Sequence, residues 1–142
     1  MIELFEILLR IAGAGLISLA LLHLPIGERL NWRDDVARLS PVNASIFHVH
    51  TFFICLVLVL MGAPCLLEPQ IFLAPSRAGG WLVWSISFFW AARLYCQWFV
   101  YRADLWRGKR METAVHWLFT FIWTALAGLF AACGCVQAGW IR

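Results

Sequence analysis

Four apolar runs, separated by short polar stretches, predict four helices at about residues 4–24, 41–66, 80–101 and 112–136. Roughly 20 residues at about 1.5 Å each match a hydrocarbon layer of about 30 Å, so every run is long enough to cross a bilayer. The punctuation supports this division. Pro25 ends the first run, Ser40 and Pro41 offer a cap and a first-turn proline to the second, and Pro64 disrupts its last turn. Residues 68–78, with Pro69 and Pro75, form a loop, as does the basic stretch 102–111. Between Gly27 and Leu39, a cap at Asn31 would start a short helix. Trp32, Val36 and Leu39 would share one face and Arg33, Asp34 and Arg38 the other, as in a helix lying in the headgroup plane. Trp98, Tyr101 and Trp106 read as an aromatic belt at the end of the third run. Backbone groups in lipid must be paired within the protein. The expected fold class is therefore all-α: one transmembrane domain over residues 1–142, an integral membrane four-helix bundle with a short cytoplasmic amphipathic helix between spans one and two.

Composition agrees with a membrane chain and not with a soluble domain, at 63% hydrophobic and 13% charged residues. The net charge of +3 comes with no basic run, so no nucleic-acid partner is expected. Glu3 and Glu6 stand where a secretory signal would be cationic, and the first run is too long for one, so it reads as a retained span. Arg29, Arg33, Arg38, Arg102, Arg107, Lys109 and Arg110 fall in loops one and three, against Arg77 and Arg142 on the opposite side. This bias places both termini outside the cytoplasm, in a bacterial-type inner membrane.

The third run carries the main chemical clue, because Arg93 lies near its middle. A charge at that depth costs roughly 2.5 to 3.5 kcal/mol on insertion scales. All eight carboxylates (Glu3, Glu6, Glu28, Asp34, Asp35, Glu68, Asp104 and Glu112) fall at helix ends or in loops. Arg93 must therefore reach the interface, a polar group or a bound anion. On the first run, Glu6 and Arg10 lie one turn apart and are placed to pair, while Gly13, Gly15 and their small neighbours allow close helix approach.

The histidines gather in depth. His23, His48, His50 and His116 all lie at the ends of runs facing the cytoplasmic side, with Gln97 and Tyr101 at the same level. Residues two apart on a helix point in nearly opposite directions, so His48 and His50 cannot both face inward. His48 shares a small, polar row with Thr51, Cys55 and Gly62, whereas His50 continues as Ile54, Leu58 and Met61. On the fourth run, His116, Thr120, Thr124, Gly128 and Ala132 form a four-residue repeat of small or polar groups expected to face partner helices. The inward set is His23, His48 and His116, with Arg93 and Gln97 beside them.

Two cofactor chemistries suit this set. Haem b would take imidazoles as axial ligands and pair a propionate with Arg93. A transition metal would be held by His23, His48 and His116, with Glu112 as a further ligand. Interfacial histidines with no cofactor at all are the plain alternative. Cys65, Cys133 and Cys135 fall at the non-cytoplasmic ends of spans two and four, where a disulfide from Cys65 to one of the other two would tie the spans together. Neither a phosphate loop nor a nucleophile motif points to hydrolysis or phosphoryl transfer. Whether the chain is an enzyme is left open. The expected function is a haem- or metal-binding subunit of a membrane redox complex, in contact with lipid and with other subunits or copies of itself. The alternatives are a noncatalytic structural or assembly subunit, and an oligomeric channel or carrier for a small anion lined by Arg93.

Overall fold

The computed structural model describes residues 1–141 and is all-α, with 84% helix and no strand among the described residues. Its helices are α1 (Ile2–Arg29), α2 (Trp32–Ala37), α3 (Pro41–Leu67), α4 (Arg77–Phe99) and α5 (Arg110–Gln137), with 3-10 turns at Pro69–Phe72 and Ala103–Leu105. Helices α1, α3 and α5 are long and apolar enough to cross a membrane, which points to a membrane protein. Helix α4, at 23 residues, has a crossing length of about 35 Å, but Arg77, Arg93 and Gln97 dilute its apolar character. The chain forms two compact units: an N-terminal one of Ile7–Pro69, and a C-terminal one of Gln70–Arg142 with Met1–Glu6.

In the N-terminal unit, α1 and α3 approach backbone to backbone where Gly13 meets Gly62. A Cβ on Gly13 would stand 2.6 Å from the Gly62 carbonyl oxygen and 2.7 Å from the Leu66 nitrogen, so only glycine fits. Pro25 and Pro64 do not end their helices, which continue to Arg29 and Leu67. Each proline removes a single ladder donor within about a turn of the helix end, and the flanking bonds hold the helix through it. Arg10 does not pair with Glu6. Its guanidinium donates instead to the Leu66 carbonyl at 2.7 Å, one of the last-turn acceptors of α3 that no helical N–H reaches. Glu6 accepts from the Gln70 amide within the C-terminal unit.

Ser40 caps α3 as expected, its hydroxyl accepting from the Asn43 N–H with Pro41 in the first turn. Helix α2 differs in detail. Asn31 adopts a left-handed conformation (φ 54°) and makes no side-chain cap, so the residue turns the chain instead of closing the helix end. Trp32 and Val36 pack inward while Leu39 is exposed. The Trp32 ring meets Phe47 edge to face at 5.3 Å and lies over Gly27.

In the C-terminal unit, α4 and α5 form a helical hairpin. Ser76 caps α4, its hydroxyl accepting from the Gly79 N–H at 2.9 Å, so α4 starts a turn earlier than the apolar run suggests and stops at Phe99. The stretch before it is packed, not a plain loop: Phe72 is buried against Phe130 at 5.5 Å, and its carbonyl accepts from Gln137 Nε2 at 2.9 Å. The inward face of α5 is His116, Thr120, Trp123, Leu126, Phe130 and Cys133. The expected four-residue repeat fails beyond Thr120, since Thr124 and Gly128 are exposed. Each step of four overruns a 3.6-residue turn by roughly 40°, so the row walks off the contact face. Trp90 and Trp123, stacked at 5.1 Å and 8°, join the inward faces of the two helices.

Candidate functional site

Helical spacing places Arg93, Gln97 and Tyr101 along one side of the C-terminal half of α4 and its exit. Arg93 sits five residues past the middle of Arg77–Phe99, about 7 Å along the axis, nearer the helix end than the apolar run implied. Its guanidinium extends toward that end. It donates through Nη1 to Gln97 Oε1 and through Nη2 to the Tyr101 hydroxyl, both at 3.4 Å. The charge lies over two rings, 5.0 Å from the Trp123 centroid and 5.4 Å from that of Tyr101. Among the described residues no carboxylate joins it, and the ion pair is Arg102–Asp104, on the surface.

Gln97 is buried and carries the contact across to α5. Because Oε1 faces the guanidinium, Nε2 is the amide's donor end, and it stands 3.0 Å from His116 Nδ1 and 3.4 Å from the His116 carbonyl. The amide N–H therefore requires a lone pair on Nδ1, and the neutral ring of His116 carries its proton on Nε2. His116 is buried and stacks on Trp106 at 4.1 Å and 10°. Trp106 is held there by its carbonyl, which accepts from the Thr113 hydroxyl at 2.6 Å. The indole N–H groups of Trp90, Trp106 and Trp123 are all buried without an acceptor among the described residues.

Of the expected site residues, the structure thus joins Arg93, Gln97 and His116. Tyr101 and Trp106, read from the sequence as belt residues, close onto Arg93 and His116. Trp123 was missed, because nothing in one sequence distinguishes a cation-bearing tryptophan from eight others. Glu112 is exposed. His23 and His48 belong to the N-terminal unit and His116 to the C-terminal one. The His23 ring is half-buried and its Nδ1 lies 2.8 Å from the Leu19 carbonyl, which can only accept. Its neutral form is therefore protonated at Nδ1, the reverse of His116. His50 does the same with the Ile46 carbonyl. His48 is exposed, and the inward face of α3 begins with Phe47 and continues through Thr51, Leu58, Gly62 and Cys65. Of the row that follows His50, readable as lipid-facing or as a neighbour's contact, Ile54 is exposed and Leu58 is buried. Among the described residues, neither unit gathers three His, Cys, Asp or Glu side chains fit to hold a metal ion. Cys133 and Cys135 carry thiols, and Cys65 is buried.

A concavity lies at the opposite end of the hairpin, about 470 Å³, with Ser76, Arg77, Trp81, Trp84 and Gln137 in its lining. Gly134 forms part of its wall, since a Cβ there would stand 2.7 Å from the Trp84 ring. Comparison of the chain with protein-family models, with curated proteins and with solved structures finds no match.

Proposed function

We propose that the chain is a cofactor-carrying subunit of a membrane redox complex. In this reading α1, α3, α4 and α5 form a four-span bundle in a bacterial-type inner membrane, with the basic loops cytoplasmic and both termini on the other side. The observation that supports it is Arg93, a guanidinium in a largely apolar helical hairpin with neutral and aromatic neighbours but no carboxylate. Haem b is the specific candidate, with a propionate meeting Arg93. His23 would offer an imidazole to it, since its Nδ1–H is directed to the Leu19 carbonyl and its Nε2 lone pair is left over. His48 would offer the second imidazole. His116, with its proton on Nε2, stands beside Gln97 and Arg93 within the C-terminal unit. Bound haem would supply one-electron transfer, and the chain's part is to offer imidazole and to neutralise a carboxylate. The metal alternative, with His23, His48, His116 and Glu112 as ligands, would take the Nδ1 lone pair of His116 away from Gln97 or require the other tautomer of its ring.

The test is an absorption spectrum and metal analysis of the protein purified in mild detergent. The expected result is a haem spectrum, lost in His23→Ala and weakened in Arg93→Gln. Colourless, metal-free protein recovered in its native assembly ends the reading.

One observation favours a noncatalytic packing subunit as the second reading. Arg93, Gln97, Tyr101 and His116 contact one another with no ligand required. A stable larger assembly, isolated without cofactor and dispersed by Arg93→Ala, is its expected signature.

A further inference from the structure

The cluster around Arg93 is rich in hydrogen-bond donors and poor in acceptors. A guanidinium offers five N–H groups. Two of Arg93's reach acceptors, and both contacts are 3.4 Å long, whereas charge-assisted bonds to oxyanions close to about 2.7–2.9 Å. Gln97 has one acceptor atom, and Arg93 already uses it. The His116 ring spends its lone pair on Gln97 and keeps an N–H on the other nitrogen. Among the described residues, the indole N–H groups of Trp90 and Trp123 in the same α4–α5 layer are buried without an acceptor, and that of Trp106, stacked on His116, is a third. Trp123 and Tyr101 cover the guanidinium through their ring faces, which hold its plane but accept no directed bond.

We propose that this cluster binds one oxyanion group, a carboxylate or a phosphate, with Arg93 as its ionic anchor. This names the ligand class of the site described above and rests on that reading's placement of the site at Arg93. Charge and geometry both select an oxyanion. A metal cation would meet a guanidinium and a set of N–H groups, and a neutral carbonyl would leave the charge uncompensated. A carboxylate or phosphate supplies several lone pairs to the planar fork at once, which is the arrangement guanidinium groups are shaped for. The site lies near the C-terminal end of α4, with Tyr101 and Trp106 around it, at a level where an amphiphile headgroup or a soluble anion can arrive.

Trp123 provides the reporter, because Arg93 lies over its ring. Delipidated protein in dodecyl maltoside micelles, which contain neither phosphate nor carboxylate, is followed by proton–nitrogen NMR of the indole N–H signals. Trp→Phe variants assign the signals. Phosphatidylglycerol, oleate and inorganic phosphate are titrated separately. A saturable shift of the Trp123 signal with at least one of them is expected. A response to phosphatidylglycerol or oleate alone identifies an amphiphile headgroup, and one to inorganic phosphate identifies a soluble anion. Arg93→Gln weakens the response by about tenfold or more, since it removes the charge from the pair, while Arg93→Lys keeps the charge and loses less. The proposal is overturned if none of the three anions shifts the signal of wild-type protein that carries no haem. It is equally overturned if Arg93→Gln, with parental helicity, responds as the wild type does. Colourless protein with a saturable shift ends the haem reading and keeps the oxyanion site. Haem-bearing protein whose Trp123 signal ignores every anion, and whose colour survives Arg93→Gln, does the reverse.

Discussion

Gly13→Ala is expected to destabilise the N-terminal unit by about 1–3 kcal/mol, the usual cost of forcing an extra carbon into a filled contact. The added Cβ would meet the Gly62 carbonyl oxygen at 2.6 Å and the Leu66 nitrogen at 2.7 Å, both backbone atoms that cannot rotate aside. Relief therefore requires α1 and α3 to separate. That movement stretches the Arg10 bond to the Leu66 carbonyl and the Cys55 thiol contact to the Ala20 carbonyl, so the loss spreads along the helix pair. Gly15→Ala is the internal control. Nothing lies within 4 Å of a Cβ there, and alanine is the better helix former by roughly 1 kcal/mol, so this variant should be neutral or slightly stabilised. Detergent-induced unfolding followed by circular dichroism measures both. Equal midpoints for the two variants would show that the glycine contact contributes nothing.

Gln97→Leu is expected to have an effect of similar size, about 1–3 kcal/mol, because it leaves buried polar groups without partners. It removes the donor facing His116 Nδ1 and the acceptor facing Arg93 in one change. Gln97→Glu separates the two losses. A carboxylate gives Arg93 an ionic partner but has no N–H for His116, so the imidazole must move its proton to Nδ1 and donate. Nitrogen NMR of the His116 ring should report a proton on Nε2 in the wild type and on Nδ1 in the Glu variant. An unchanged tautomer would mean that Gln97 does not set the protonation pattern of the ring. Gln97→Glu should also remain the more stable of the two variants.

Much of this was legible in the sequence, for identifiable reasons. Helix existence followed from apolar runs long enough to dominate every local signal. The side of α4 carrying Arg93, Gln97 and Tyr101 followed from steps of four, which over so short a distance stay on one side of a helix. The same rule failed on α5, where successive steps of four carry Thr124 and, at the third step from His116, Gly128 away from the contact. There the large rings of Trp123 and Phe130 took the inward positions. Small residues could be recognised as permitting close approach, but which glycine used the permission could not. Gly13 does so, and Gly15 meets nothing. Proline strength was overrated at Pro25 and Pro64, where a nearby helix end made one missing donor tolerable. The tautomers of His23 and His116 were beyond reach, since each depends on one neighbouring atom that composition does not place.

The Gln97–His116 contact also bears on how the chain enters a bilayer. Its two residues are 19 apart and meet across a single tight connection, so the bond closes as soon as α4 and α5 fold back on each other. A lone helix leaving the insertion machinery would present Arg93 and Gln97 to hydrocarbon with nothing opposite. In the proposed four-span reading, the paired hairpin would carry them in with His116 and the indole of Trp123 already in place. If α4 spans the membrane as proposed, its insertion is coupled to synthesis of α5, and a nascent chain halted before His116 should hold α4 poorly in the bilayer.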